Sequence, residues 1–104
     1  MAQFDIHRNA DPSTRALFPY LVDLQADLLS SLNTRVVAPL ATTRALPKPA
    51  SRLNPAFVID GRTLALSTPE LAGVPRAALG PVVGSAAGRR DELIGALDLL
   101  FKGV

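Results

Sequence analysis

The chain has 104 residues, 48% of them hydrophobic, eleven basic against nine acidic, and no cysteine. That length supports one core and excludes two, the hydrophobic share excludes global disorder, and the missing cysteine excludes disulfides, thiolate metal sites and cysteine nucleophiles. The basic residues, only two of them Lys, are scattered from Arg8 to Lys102, and with one Tyr and no Trp to stack bases they match ordinary solubilising charge better than a nucleic-acid surface.

The chain begins MAQFDIHRN, with polar residues where a signal peptide carries its apolar segment. No apolar run approaches the ~18–20 residues of a spanning helix. A soluble cytoplasmic protein forming one domain over 1–104 is expected. Gln3–His7 alternates polar with apolar (Phe4, Ile6), as a short half-buried strand does. RNADPSTR, from Arg8 to Arg15, is a loop with turn chemistry at Asp11-Pro12-Ser13. Pro19–Gln25 returns to a strand, with Tyr20, Val22 and Leu24 on one face and Leu21 and Asp23 on the other. Ala26–Leu32 fits one helical turn or an irregular bend, and either leaves Leu28-Leu29 half exposed.

Arg35–Thr42 is strand-like, but Pro39 cannot donate to a ladder and predicts an edge or a bulge. Arg44–Arg52, with Pro47 and Pro49, is a loop or short ribbon. In Ala56–Leu66 two β-rich runs, AFVI and RTLAL, flank Asp60-Gly61, which supplies the positive φ angles of a type I′ hairpin. Ser67-Thr68-Pro69-Glu70 has the form of a helix start with a hydroxyl cap. Leu71 to Pro75 leaves room for about a turn before Pro75 ends it. Ala77–Val83 is a weak strand interrupted at Gly80-Pro81.

Arg89 to Val104, RRDELIGALDLLFKGV, predicts an amphipathic helix with Ser85 as a capping residue before it. At about 100° per residue, Leu93, Ile94, Ala96, Leu97, Leu100 and Phe101 share one apolar stripe. Leu99 projects from the polar side beside Glu92 and Gly95, a place where something can dock. Asp91 and Glu92 suit the positive end of the helix dipole and Lys102 the negative end. Asp98 and Lys102 are spaced i,i+4, which supports a helix by ~0.3–0.5 kcal/mol, and Gly103 stands where a left-handed residue stops it. Five or more short strands and one C-terminal helix make a mainly β (α+β) fold, a curled sheet or small barrel with the helix packed on it.

Catalytic chemistry is absent from the pattern. His7, the one histidine, has no nucleophile or ligand at a diagnostic spacing and is expected on a strand surface. Asp91 and Glu92, as helical neighbours, diverge by about 100° and cannot share a substrate proton. Ser30-Ser31 and Thr42-Thr43 are hydroxyl pairs of turns and strand ends. No nucleophile elbow, phosphate loop, dinucleotide fingerprint or zinc spacing occurs. The residues imply no enzyme, no cofactor and no metal.

The order of the segments QFDIHRN, YLVDLQADLL, TRVVAPLA, FVIDGRTLALST, ELAGVP and LIGALDLLFKGV resembles the CcdB toxins of bacterial type II toxin–antitoxin modules over nearly the whole chain. The resemblance implies a homodimeric SH3-like barrel with a C-terminal helix. It also implies a plasmid-maintenance toxin that poisons DNA gyrase through the gyrase A subunit and is neutralised by the acidic C-terminal tail of a CcdA-like antitoxin. It implies neither membrane attachment nor direct sequence-specific nucleic-acid binding. The surface for both partners maps onto Leu28, Leu29, Asp98, Phe101, Lys102, Gly103 and Val104.

The chain departs from the family pattern in its tail and at three further positions. Lys102-Gly103-Val104 replaces a Trp-Gly-Ile tail, Asp98 replaces an Asn, and Ala87 and Arg90 stand in place of a Ser and a Glu. Two alternatives follow. One is a MazF/Kid-type endoribonuclease, in which Arg15 and Thr42 are the nearest analogues of the cleaving residues. The other is a CcdB homologue that keeps antitoxin binding without poisoning gyrase.

Overall fold

Asp60 and Gly61 take positive φ values, 51° and 76°, which is the pair of left-handed residues a type I′ turn demands. The hairpin therefore forms where the sequence predicts it, with Ile59 opposite Arg62 and Phe57 opposite Leu64. The structure, a computed structural model, describes residues 2–103. Its strands are β1 Asp5–Asn9, β2 Tyr20–Asp23, β3 Thr34–Ala41, β4 Ala56–Ile59, β5 Arg62–Leu66, β6 Ala72–Pro75 and β7 Leu79–Ser85, and the helix α1 spans Arg90–Lys102. All pairings are antiparallel. The sheet runs β4-β5-β3-β2-β1-β7, with β6 added to β3. It curls into a half-barrel carrying the single helix, the mainly β architecture the sequence implies.

The concave face builds the core. Ile6, Tyr20, Val22, Ala38, Leu40, Phe57, Leu64 and Leu66 meet Leu93 of α1 there, with Phe4 and Leu24 beside the strand ends. Phe4 is buried despite a φ of 69°, a backbone region costly for a bulky residue. Its amide donates to Asp23 O at 2.6 Å and its carbonyl accepts from Ala86 N at 2.8 Å, so the segment ahead of β1 ties β2 to the entrance of α1. This puts β1 two residues later than the expected Gln3–His7 strand.

Three other expectations change. Pro39 lies in the middle of the central strand rather than at an edge or bulge. β3 pairs with β6 through Thr34–Val37 and with β5 through Leu40 and Ala41, so Pro39 falls at the seam between them, where its carbonyl accepts from Ser67 N at 2.8 Å. Its missing donor faces that gap and removes no ladder bond. Leu71 to Pro75, expected to be a turn, contributes β6, because β3 offers an open side opposite Ala72–Pro75. Ser67 does not cap a helix. Its hydroxyl donates to the Glu70 carboxylate at 2.7 Å across a single 3₁₀ turn, Thr68–Glu70. Gly80 is compulsory in β7 because a Cβ there would lie 2.7 Å from Arg8 O.

The convex face is also covered at its centre, which overturns two surface assignments. His7 is 2% exposed, with Nδ1 3.0 Å from Gly80 O, rather than on a strand surface. Arg35 is no solubilising charge, since both it and Asp23 have fully buried side chains. Its Nε donates to Asp23 Oδ2 at 2.8 Å, and Nη2 lies 2.6 Å from the same oxygen as an ion-pair contact. Nη1 has no partner among the described residues. Asp23 Oδ1 accepts from Gln25 N at 2.9 Å, and the Gln25 side chain accepts from Val36 N and donates to Leu29 O, both at 3.0 Å. One buried polar network thus joins β2, β3 and the turn after β2.

Removing one member of a buried pair strands the other charge at a cost of about 3–5 kcal/mol, whereas replacing both with apolar residues is often neutral. Arg35→Met should therefore lower the urea unfolding midpoint sharply, and Asp23→Leu combined with Arg35→Met should recover most of that loss. Equal losses in the single and double variants would show that packing, not charge, holds this site.

Candidate functional site

The helix entrance is set by charge and by ring contacts. Ser85 Oγ accepts from Ala87 N at 3.1 Å, just before a 3₁₀ turn at Ala87–Arg89 that leads into α1. Arg89 grips Glu92 with two bonds, 2.9 and 2.8 Å, and places its guanidinium 4.0 Å from the centre of the Phe57 ring. That bidentate hydrogen bond holds the Glu92 carboxyl below the usual carboxylate range and raises Arg89 further. Arg90 spans Gln3 Oε1, at 3.2 Å, and the face of Phe4. The two arginines roof the aromatic end of the core.

Burial then falls along the helix. Leu93 and Ala96 are fully buried, while Phe101 is 69% exposed. Phe101 lies on the apolar stripe by angle, but the last turn has run beyond what the sheet covers, so it does not join the core as the periodicity predicts. Leu99, expected on the polar side, is half-buried with Leu100. Lys102 Nζ stands 3.5 Å from Asp98 Oδ1, the i,i+4 pair the spacing implies and, at that exposure, worth a few tenths of a kcal/mol, roughly. Gly103 has φ 75° and donates its amide to Leu99 O at 3.0 Å, the left-handed stop expected of it. Val104, the remaining site residue at this end, lies outside the described residues.

The other half of the expected site is a 3₁₀ turn at Asp27–Leu29 with no buried residue. Leu28 is 92% exposed, Leu29 and Leu32 47% each. Leu28 is therefore not the half-exposed residue expected but almost wholly free of the fold. The turn is anchored from beneath: Gln25 donates to Leu29 O at 3.0 Å, and Asp27 Oδ1 accepts from Gln3 N at 2.7 Å. Gln3 in turn accepts from Arg90. This polar path reaches the first residue of α1 rather than its tip. Among the described residues no hydrogen bond or ion pair joins Leu28-Leu29 to Asp98, Phe101, Lys102 or Gly103.

Sequence reasoning missed the residues that support the turn, Asp23, Gln25 and Arg35. One signal was present: Arg35 alternates in phase with Val37 and Pro39 on one face of β3. The residues weighed for RNA cleavage are differently placed. Arg15 is exposed on a turn whose backbone amide donates to Asp11 O, and Thr42 follows β3 and accepts from Ala45 N at 3.3 Å. A groove of about 300 Å³ opens on the convex face over Leu21, Val37, Pro39 and Val74, with Asp11 and Glu70 at its border; none of the expected site residues lines it.

The family model described as CcdB protein matches residues 3–103. The chain therefore belongs to the CcdB family and is a toxin of the CcdB type, in a family of gyrase-poisoning toxins rather than catalytic enzymes. No helix among the described residues is long and apolar enough to cross a membrane.

Gly103→Ala should cost about 1 kcal/mol at the helix end. It should appear as faster amide exchange at Gly103 and the preceding turn with little change in global unfolding. Glu92 gives a second test. Its folded pKa is depressed, so its contribution is present at neutral pH and is lost as pH falls through the folded value. Carboxyl NMR titration should place the Glu92 midpoint below that of a free glutamate, and Arg89→Gln should return it to the ordinary range.

Proposed function

We propose that this chain poisons DNA gyrase by binding the gyrase A subunit as a homodimer, and that a CcdA-like antitoxin with an acidic tail neutralises it. Membership of the CcdB family supports the reading. The observation that carries it in this chain is exposure: Phe101 at 69% and Leu28 at 92% are large apolar groups that the fold holds out rather than covers. Such groups on a polar rim mark protein contacts. The network beneath Leu29 and the cap at Gly103 hold them in place, which lowers the ordering cost of binding. Leu28, Leu29, Asp98, Phe101, Lys102, Gly103 and Val104 form the proposed contact set.

Lys102 favours a second reading, a relative that retains the antitoxin contact but not the poison. Its ammonium pairs with Asp98 where an indole would offer a large flat apolar surface. An aromatic anchor of that kind is worth ~2–4 kcal/mol, or roughly 30- to 1,000-fold in affinity.

Expression without antitoxin in a gyrase-sensitive host should arrest growth and leave gyrase-linked DNA breaks, and deleting Gly103-Val104 should abolish both. Lys102→Trp should strengthen killing. Growth arrest that appears only in Lys102→Trp would establish the second reading, and normal growth with both proteins would exclude poisoning.

A further inference from the structure

The net charge is not spread evenly. Between Ala41 and Leu66 stand Arg44, Lys48, Arg52 and Arg62 against the single carboxylate Asp60, while the rest of the chain has seven basic and eight acidic residues. All four cations are exposed, and among the described residues none lies in an ion pair, the three pairs being Arg35–Asp23, Arg89–Glu92 and Lys102–Asp98. The excess positive charge of the molecule belongs to the loop from Arg44 to Arg52, which leads into a hairpin where Arg62 is balanced by Asp60.

That hairpin ends the sheet, because among the described residues β4 pairs only with β5. Ile59 and Arg62 close its two-residue turn, and Leu66 N donates to Pro55 O at 2.9 Å. The alternation of an antiparallel ladder then turns the amides and carbonyls of Ala56 and Val58 outward. The edge is short, and within it AFVI has no charge, no proline and no bulge. Val58 is 72% exposed. Beside it a pit of about 50 Å³, lined by Leu46, Pro49, Ala56, Thr63 and Ala65, opens under the loop that carries Arg44 and Lys48. A cavity of ~150 Å³ accepts benzene, so this one suits a small aliphatic side chain.

We infer that β4 is a docking edge for an acidic peptide segment that adds as an extended strand. Its backbone pairs with Ala56 and Val58, a small apolar side chain fills the pit, and its carboxylates face Arg44, Lys48, Arg52 and Arg62. Strand addition draws affinity from main-chain bonds and specificity from pockets for alternate side chains, and this edge supplies both within a basic frame. A nucleic acid would use the cations but neither the outward amides nor the pit. The inference does not rest on gyrase poisoning.

The test is fluorescence anisotropy of the purified full chain at low ionic strength with a fluorescein-labelled peptide of alternating Glu and Val. Controls are the same peptide methylated at every second backbone nitrogen and an oligothymidylate of equal charge. The plain peptide should bind. Methylation should weaken it roughly tenfold, as expected for two lost main-chain bonds. Arg44→Glu with Arg52→Glu, folding checked by circular dichroism, should weaken it by a similar factor, roughly. No binding of the plain peptide, or equal binding of the methylated peptide or the oligothymidylate, would overturn the proposal, and both comparisons use the unmodified protein.

Discussion

Everything in this sheet depends on β3 serving three partners. One side pairs with β2 along Val37–Leu40, and the other is divided between β6 and β5. Such a division needs a residue that asks for no ladder bond at the point of exchange, and proline is the residue without a donor. Pro39 thus lets β6 leave the sheet and the β4–β5 hairpin join it. Without that exchange, the β4–β5 hairpin and the segment that covers the far end of β3 would compete for one edge. The buried Arg35–Asp23 pair then fixes the register of β3 against β2. A slip of one residue would place Arg35 on the apolar concave face.

The legible parts of the fold are those determined by neighbours in sequence. Asp60-Gly61 specifies its turn because few residue pairs accept two left-handed conformations, and Gly103 stops its helix for the same steric reason. Asp98 and Lys102 meet because four residues span one turn. The illegible parts are those determined by a partner elsewhere in the chain. Ala72–Pro75 carries no strand pattern and becomes β6 only because β3 has a vacant side. His7 and Arg35 misled because polar alternation predicts an exposed face only when a sheet has one, and here both faces are covered at the centre. Phe101 misled differently: periodicity reports the angle around a helix and not how far the underlying sheet extends. Family resemblance brought Leu28 and the helix tip forward as one site. Burial marks both as outward-facing, yet among the described residues the polar path between the turn and α1 ends at Arg90.

The two outward regions of the molecule differ in electrostatic character. At the helix tip Lys102 is offset by Asp98 at 3.5 Å, leaving an apolar contact with little net field. In the loop before β4 and the hairpin that follows, four cations stand against one carboxylate, three of them in the loop. Exposed charges act over a screening length of ~8 Å at physiological salt, and clustered unpaired charges steer encounter more than they fix affinity. For an acidic partner, then, approach and residence are governed by different parts of the chain. In the proposed edge docking, the loop from Arg44 to Arg52 would set the rate at which such a partner arrives, and buried apolar contact how long it stays. Lys102 takes on a specific meaning in that division. A tryptophan at the tip would combine anchoring area with neutrality, whereas a lysine keeps neutrality only through its pair with Asp98. Any partner group that draws Asp98 away frees a cation at the tip, so the chemistry of this surface depends on a pair whose intrinsic worth is only a few tenths of a kcal/mol, roughly.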